Sequence, residues 1–364
     1  MPVPILAAVR SPFAVADGAL AGWHPVDLAA EIAAVAVERA AVDPATIDAV
    51  WVGCDEPVGA QGANVARALV LAAGWPETIV GTVVEAAPHS GMSALAAACD
   101  AISAGRVGTA VVIGMSSASI VQPGASALGR TYGRPWGEGP AARYADVGGL
   151  VPPIVAADRA AAQCGIDRAA HDAFGRRSCE RRNASSGGIV PVGARPGDAA
   201  AIQRGTPIIS DQVRSLPTQD LEPIFEVDGA TTALGFAPAA DGVSVLILGS
   251  GDAIGEIVST GATAGAPLDP AAPFATVHAA GHRHADRLDL AVASASIALV
   301  ALEAAGLTPD DVDRDGGTIA VGDAAAAEDL RLIIDGLHRD AGDRTGAAVR
   351  LSAGCAAGCV WQRL

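Results

Sequence analysis

The sequence contains no lysine; all 24 of its basic residues are arginine. That excludes a lysine Schiff base or a lysine general base at any site. Long apolar runs are missing too, and no stretch approaches the roughly 18 to 20 residues that a membrane-spanning helix needs. The opening "MPVPILAAVRSPF" lacks the basic start of a signal peptide and reads as a first strand. A soluble, cytoplasmic protein with no membrane partner is the expectation. Positive charge is scarce: the net charge of −16 repels phosphate backbones, so no nucleic acid partner is expected. GC-rich coding accounts for the lysine-free, Ala- and Arg-rich composition. The six cysteines (Cys54, Cys99, Cys164, Cys179, Cys355 and Cys359) are scattered, and read as buried free thiols rather than disulfides. Cys355 and Cys359 stand four apart with no second Cys or His pair nearby, so no metal site is expected there.

What is present is a large apolar fraction, 51% of 364 residues, enough to bury a sizeable core in two or three subdomains. The first third alternates apolar strands such as "VPILAAV" and "TAVVIGMSS" with helical patterns such as "PVDLAAEIAAVAVERAAV" and "SGMSALAAACDAISAG". This is βαβ patterning and predicts a largely parallel sheet covered by helices. From about Ser119 to Ala237 Gly, Pro and Arg interrupt the pattern, as in an inserted loop-rich subdomain. Strand "GVSVLILGS" then returns, and the last hundred residues repeat the opening theme, with "GGTIAVGD" read as a strand or turn. "ALEAAGLTPDDVD" echoes "AVERAAVDPATIDAV", which suggests two copies of one α/β unit. The expected boundaries are 1–118 with 238–252 for the first half, 119–237 for the loop domain, and 253–364 for the second half.

Four stretches carry a resemblance. "AAVRSPFAVADGALAG" resembles an Arg-Thr-Pro-Phe opening followed by a Gly-rich stretch. "GANVARALVLAAGWP" resembles an Asn-x-Ala-Arg helix with its Ala-Gly-x-Pro end. "GIDRAAHDAFGRRS" resembles Ile-Ser-Arg-x-x-Gln-Asp-x-Phe-Ala-x-x-Ser. "DGATTALGFAPAADG" matches Asp-Gly-Thr-Val-Thr-Ala-Gly-Asn-Ala-Ser-Gly-x-x-Asp-Gly without a gap. In this order and spacing, over nearly the whole chain, they resemble the thiolase family of acyl-CoA acyltransferases. The resemblance implies two βαβαβαββ halves in an αβαβα sandwich with an inserted loop domain, and a homodimer or larger homo-oligomer.

The resemblance also implies a catalytic set, and most of it is absent. The family's Val-Asn-x-x-Cys-x-Ser-Gly-Met/Leu places a nucleophilic cysteine at a helix start, where the helix dipole and a nearby His favour thiolate. Aligned on Ser90, Gly91 and Met92, "VEAAPHSGM" puts Pro88 on the cysteine and Glu85 on the asparagine. Proline suits a first helical turn. In "GGTIAVGDAA" Gly316, Gly317 and Gly322 fit the family's Gly-Gly-x-x-x-x-Gly-His-Pro, with Asp323 on the activating histidine. Ser352 falls on the second cysteine, and a three-residue slip would place Cys355 there. The Asn-Glu-Ala-Phe segment reads as deleted between "TPDDVD" and "RDGG". Pro152 and Pro153 stand on a His-Met pair, and Gly235 and Ala237 on the Asn and Ser of the pantetheine channel. Together these imply a thiolase-fold protein without thiolase chemistry and without a resident cofactor, a coenzyme A thioester remaining a candidate ligand. A thiolase-fold or OB-fold partner protein fits such a role.

The rival is non-standard acid/base or aldol-type chemistry on acyl-CoA thioesters, with His89, Glu85, Asp323 and Ser352 as its groups. Cys355 or Cys99 as an alternative nucleophile is a further reading, and Cys99 lies three turns into its helix. His278, His282 and His284 in "HAAGHRH" read as a solvated loop rather than a zinc site. Trp136 and Tyr144 sit in an Arg-rich surface loop, and Asn183-Ala184-Ser185 is a glycosylation triplet by pattern only.

Overall fold

The structure is a computed structural model. It describes all residues except 129–136, 148–150, 183–187, 200–201, 203–210, 226–228, 268, 270, 280–284, 340–341 and 353. The first half runs β1 (Val3–Arg10), β2 (Ala14–Val15), α1 (Pro25–Arg39), β3 (Ala49–Gly53), α2 (Val65–Ala72), β4 (Val80–Val84), α3 (Ser90–Ser103) and β5 (Ala110–Ser117). Five helices follow: α4 (Ala125–Leu128), α5 (Glu138–Arg143), α6 (Pro153–Gln163), α7 (Arg168–Arg181) and α8 (Asp211–Ser215). β6 (Ala240–Leu248) then returns to the sheet. The second half is β7 (Gly255–Ala264), α9 (Ala271–Ala279), β8 (Arg287–Ala291), α10 (Ala295–Ala305), α11 (Gly317–Val321), α12 (Ala326–Leu337), β9 (Thr345–Ser352) and β10 (Cys355–Arg363).

Local chemistry sets the helix ends. Pro25 opens α1 at a position where its missing N–H costs nothing. Asn64 caps α2 by accepting from the Arg67 amide at 3.1 Å, and Asp167 caps α7 through the Ala170 amide at 2.8 Å. α10 ends at Gly306 in the left-handed region, φ 69°.

The strand order is β4-β3-β5-β6-β1-β7-β10-β9-β8. The β4–β3–β5 and β8–β9 pairs are parallel, and the others on this path are antiparallel. The sheets of the two halves join where three residues of β1, Val3–Ile5, pair with Gly255–Ile257 of β7. The two expected sheets are therefore one hydrogen-bonded path, joined at a corner. α3 and α12 share one apolar core with residues of both halves, including Ile5, Val112 and Leu246 of the first and Ala348 and Trp361 of the second. α1 and α2 cover the outer face of the first half, and α9 and α10 that of the second. This gives the αβαβα layering that the resemblance implied. Burying one Leu or Ile side chain contributes about 1.5–3 kcal/mol, so the three large cores hold the layers together.

Aligning the halves by strand order matches β1, β3, β5 and β6 with β7, β8, β9 and β10. β4 has no partner in the second half among the described residues. Residues 312–315 run beside β8 instead. The Asp313 amide donates to Leu288 O, and Asp313 Oδ1 accepts from the Leu290 amide at 2.8 Å. Thr318 Oγ1 accepts from Val292 N and donates to Leu290 O. One backbone amide and two side chains thus satisfy a strand edge that a fifth strand would otherwise cover.

Three sequence readings change. The helices in the echoing segments are α1, the first helix of its half, and α10, the second of its half, so the echo is local and out of register. "GGTIAVGD" is the short helix α11 rather than a strand. His278, at the start of "HAAGHRH", lies in the helix α9 rather than in a loop and stacks on Phe274 at 5.6 Å. His282, His284, Trp136 and Asn183–Ser185 lie outside the described residues. Among the described residues no helix is long and apolar enough to cross a membrane, and no cluster of three metal-ligating side chains occurs.

Candidate functional site

The parallel strands β3, β4 and β5 end at one rim, where α3 begins and where α12 of the second half arrives. Close backbone approach makes that meeting possible. A Cβ on Gly91 or on Gly114 would stand 2.2 or 2.1 Å from the carbonyl oxygen of Ala326, at the start of α12. No side chain can occupy either position without moving that helix.

Pro88 sits outside the helix. α3 starts at Ser90 with His89 as its N-cap, so Pro88 belongs to the turn and not, as the sequence suggested, to the first helical turn. Ala87 beside it has φ 52°, an uncommon conformation for a side-chain-bearing residue. The turn is pinned by side chains. Exposed Glu85 accepts from the Ala87 amide at 2.8 Å. Ser90 Oγ accepts from the Ala86 amide at 2.9 Å and donates to Ala87 O at 2.7 Å. Glu85 is thereby a turn anchor. His89 Nδ1 is enclosed without a hydrogen-bond partner among the described residues, and burial, helped by Arg350, lowers the imidazole pKa.

Asp323 is equally engaged. It forms a β-bridge with Ala239, its amide donates to Pro238 O, and its Oδ1 accepts from the Ala325 amide at 3.0 Å. Arg350 of β9, 1% exposed, clamps the Asp323 carboxylate at 3.1–3.2 Å. The same guanidinium donates to Asp329 Oδ1 of α12 at 2.6 Å and to Ala325 O at 2.6 Å. Asp329 Oδ2 in turn accepts from the Met92 amide, in the first turn of α3, at 3.1 Å. The positive end of α3 is therefore occupied by a protein carboxylate. Burial pushes the Asp329 carboxyl up to about 6 against the pull of Arg350.

Ser352 lies two residues after Arg350 on β9, so both side chains leave the same face of the strand. Cys355 is the cross-strand partner of Ser352 and shares that face. The slip left open by the sequence therefore concerns two neighbours at one hairpin end. Burial raises the Cys355 thiol, and it pushes Cys99 up to about 12, so neither is primed as a thiolate.

Gly235 and Ala237 are both buried. A Cβ on Gly235 would stand 2.2 Å from Cε1 of His171, a fully buried ring on α7. Ala237 is 2% exposed within the core of the second half. Pro152 is the N-cap of α6 and Pro153 its first residue.

Sequence reasoning missed Arg350 and Asp329. α12 offered a signal, because Glu328, Asp329, Arg331 and Asp335 cannot all reach water from a helix whose twelve residues are all buried. Arg331 answers two of them, donating to Glu328 and to Asp335 at 2.6–2.7 Å, and Arg10 of β1 meets Asp335 at 2.7 Å.

The comparisons decide the family. A model described as thiolase, N-terminal domain, matches residues 3–252. This chain belongs to the thiolase family. It is 29% identical to a β-ketoadipyl-CoA thiolase of Pseudomonas aeruginosa, over 94% of each chain. It is 28% identical to an acetyl-CoA acetyltransferase of Escherichia coli, over 92% of this chain and 91% of the relative. A crystal structure of the Bacillus anthracis acetyl-CoA acetyltransferase superposes with a TM-score of 0.84 at 24% identity, covering 100% of this chain and 99% of that one. A thiolase from Ascaris suum in complex with coenzyme A gives 0.82 at 20% identity, covering both chains fully. These two likenesses speak for the thiolase fold alone. The chain is a thiolase-superfamily, acyl-CoA acyltransferase-like protein.

Proposed function

We propose that this thiolase-family chain performs no thiolase chemistry and serves as a non-catalytic subunit, a homodimer or the partner of another thiolase-fold or OB-fold protein. One observation carries the reading. The position that the resemblance assigns to the activating histidine is Asp323, locked in an ion pair with buried Arg350. A base must be free to take a proton, and this carboxylate is held by a guanidinium and a backbone amide. The turn at Pro88 offers no nucleophile, and the Met92 amide, which could face a developing oxyanion, already binds Asp329. The burial of Gly235 and Ala237 speaks against a pantetheine arm along the family's route, so coenzyme A thioesters are at most weak ligands. The edge of β4 supports self-association, with Val80 62% exposed.

The test follows thioester absorbance and calorimetry together, with acetyl-CoA, acetoacetyl-CoA and a bulky acyl-CoA. We expect no turnover, and none in Pro88→Cys either, because a restored thiol would still lack its histidine. Turnover by the unmodified chain would overturn the reading. It would favour acid/base chemistry by His89, whose enclosed, unpartnered Nδ1 is the observation behind that second reading.

A further inference from the structure

β7 pairs with β10 from end to end, with a bulge at Val258, but with β1 only over residues 255–257. Beyond Ile257 its other edge has no strand partner among the described residues. The direction of the backbone groups there follows from the ladder. The Gly265 amide donates to Gly354 O at 2.8 Å, which makes these two a hydrogen-bonded antiparallel pair. Such pairs alternate along a ladder. Thr263 and Gly261 therefore also face β10, whereas Thr260, Ala262 and Ala264 turn their N–H and C=O groups to the open edge. Val258 is 40% exposed, and Ser259, Gly261, Ala262 and Ala264 are exposed as well. An uncharged, proline-free edge of this kind is a template for another extended chain.

The first half shows what such an edge takes. The contact between β1 and β7 centres on Pro4 opposite Glu256, and a pseudo-twofold axis through it matches Ala8 with Thr260 and Arg10 with Ala262. The bulges agree with this register. The β1–β6 pairing skips Leu6, and the β7–β10 pairing skips its counterpart Val258. On β1 the outward groups are engaged. Ala8 O accepts from His338 Nε2 at 2.8 Å. The Arg10 amide donates to Gly188 O and Arg10 O accepts from the Val190 amide, both at 2.8 Å, so residues 188–190 run beside β1 as a parallel strand fragment. On β7 nothing corresponds. α3 is followed by Ala104 where α12 is followed by His338, and an alanine side chain carries no donor. Among the described residues no segment takes the place at β7 that residues 188–190 take at β1.

We propose that the open edge of β7 binds an extended segment of a partner protein, which pairs in parallel with residues 260–264 as residues 188–190 pair with β1. Backbone hydrogen bonds supply the affinity in this mode of recognition. Residues 257–267 carry no charge, and Glu256 and Asp269 stand on either side of them in a chain of net charge −16. The fitting segment is therefore uncharged and β-branched at its centre and basic at its ends. A second copy of this chain fits less well, because a twofold axis would set two β7 strands antiparallel. β7 lies inside the strand order, so this edge is a step between the two sheets and not an outer margin. The inference adds an attachment point for a partner and does not depend on the loss of thiolase chemistry.

The test uses the full chain and a fluorescein-labelled probe peptide, Arg-Arg-Thr-Val-Thr-Val-Thr-Arg-Arg, followed by fluorescence anisotropy, with amide hydrogen exchange read by NMR. The probe should bind and should slow exchange at Thr260, Ala262 and Ala264. A control peptide with the same arginines around a Gly-Pro-Gly-Pro-Gly centre should bind about tenfold more weakly, because proline cannot donate to the ladder. Ala262→Pro removes an N–H that faces away from β10. It should keep the circular dichroism spectrum of the wild type and weaken probe binding about tenfold. A probe methylated on its central amide nitrogens tests the same bonds without altering the protein, and should fail to bind. Equal binding of probe and control, protection confined to other strands such as β4, undiminished binding in Ala262→Pro or by the methylated probe, or no binding of the probe at millimolar concentration would overturn the proposal. A dimer of the chain that Ala262→Pro abolishes would assign the edge to a second copy and overturn it as well.

Discussion

Arg350→Met should be among the most damaging single substitutions in this chain, and its cost can be worked from the contacts. Arg350 and Asp329 are 1% and 0% exposed, and the guanidinium also clamps Asp323 and Ala325 O. Methionine keeps much of the volume and removes the charge, leaving two carboxylates without their cation. Breaking a buried pair in this way costs about 3–5 kcal/mol. The sign of the pH dependence follows from Asp329. Its carboxyl already sits at about 6 in the folded chain, above the ordinary value of about 3.9. Between those values the native state binds more protons than the unfolded chain, so this group lowers stability as the pH rises through the window. Without Arg350 the carboxyl rises further, and the loss should be larger at pH 8 than at pH 5. Urea unfolding followed by circular dichroism at both pH values measures this. Arg350→Met/Asp329→Asn should recover part of the loss, as coupled neighbours do. A loss below about 1 kcal/mol at pH 8, the size of an exposed pair, with no pH trend would refute the reasoning.

Two further predictions concern the frame of the site. Asp313 is fully buried and its carboxyl is raised by burial, with Asp289 adding to it, to about 7. About three units above the ordinary value correspond to about 4 kcal/mol of stability lost between pH 4 and pH 7. Asp313→Asn keeps an acceptor for the Leu290 amide, so its unfolding free energy should change less over that range; parallel pH profiles would contradict this. Gly114→Ala forces a Cβ onto the Ala326 carbonyl and should cost about 1–3 kcal/mol. An unchanged melting temperature would show that the contact between β5 and α12 is looser than described.

Much of the frame was legible in the chain because strands such as "TAVVIGMSS" and helices such as α1 carry their own periodicity. The turn at Pro88 was visible through the Ser90-Gly91-Met92 match. Two things were not. β8, "RLDLA", has an Arg and an Asp where a buried strand should be apolar, and both are buried because they pair with each other and with Asp315. No local pattern announces such a long-range compensation. The other was the set of partners around the site. Arg350 joins Asp323 and Asp329 across 27 and 21 residues, and Asp329 reaches Met92 across 237. The first two form when the second half folds on itself, and only the meeting of the two halves creates the third.

The sealed margin of β8 has a consequence for how copies of this chain can combine. A sheet with two free margins can add neighbours at both ends and grow without limit. In this molecule the outer margin of the second half is closed from within by Asp313 and Thr318, while that of the first half, β4, faces outward. With one usable margin, sheet-to-sheet joining is consumed by a single encounter. Two copies meeting there would complete a symmetric pair and leave nothing to recruit a third. Among the described residues, joining through sheet margins would therefore stop at a pair.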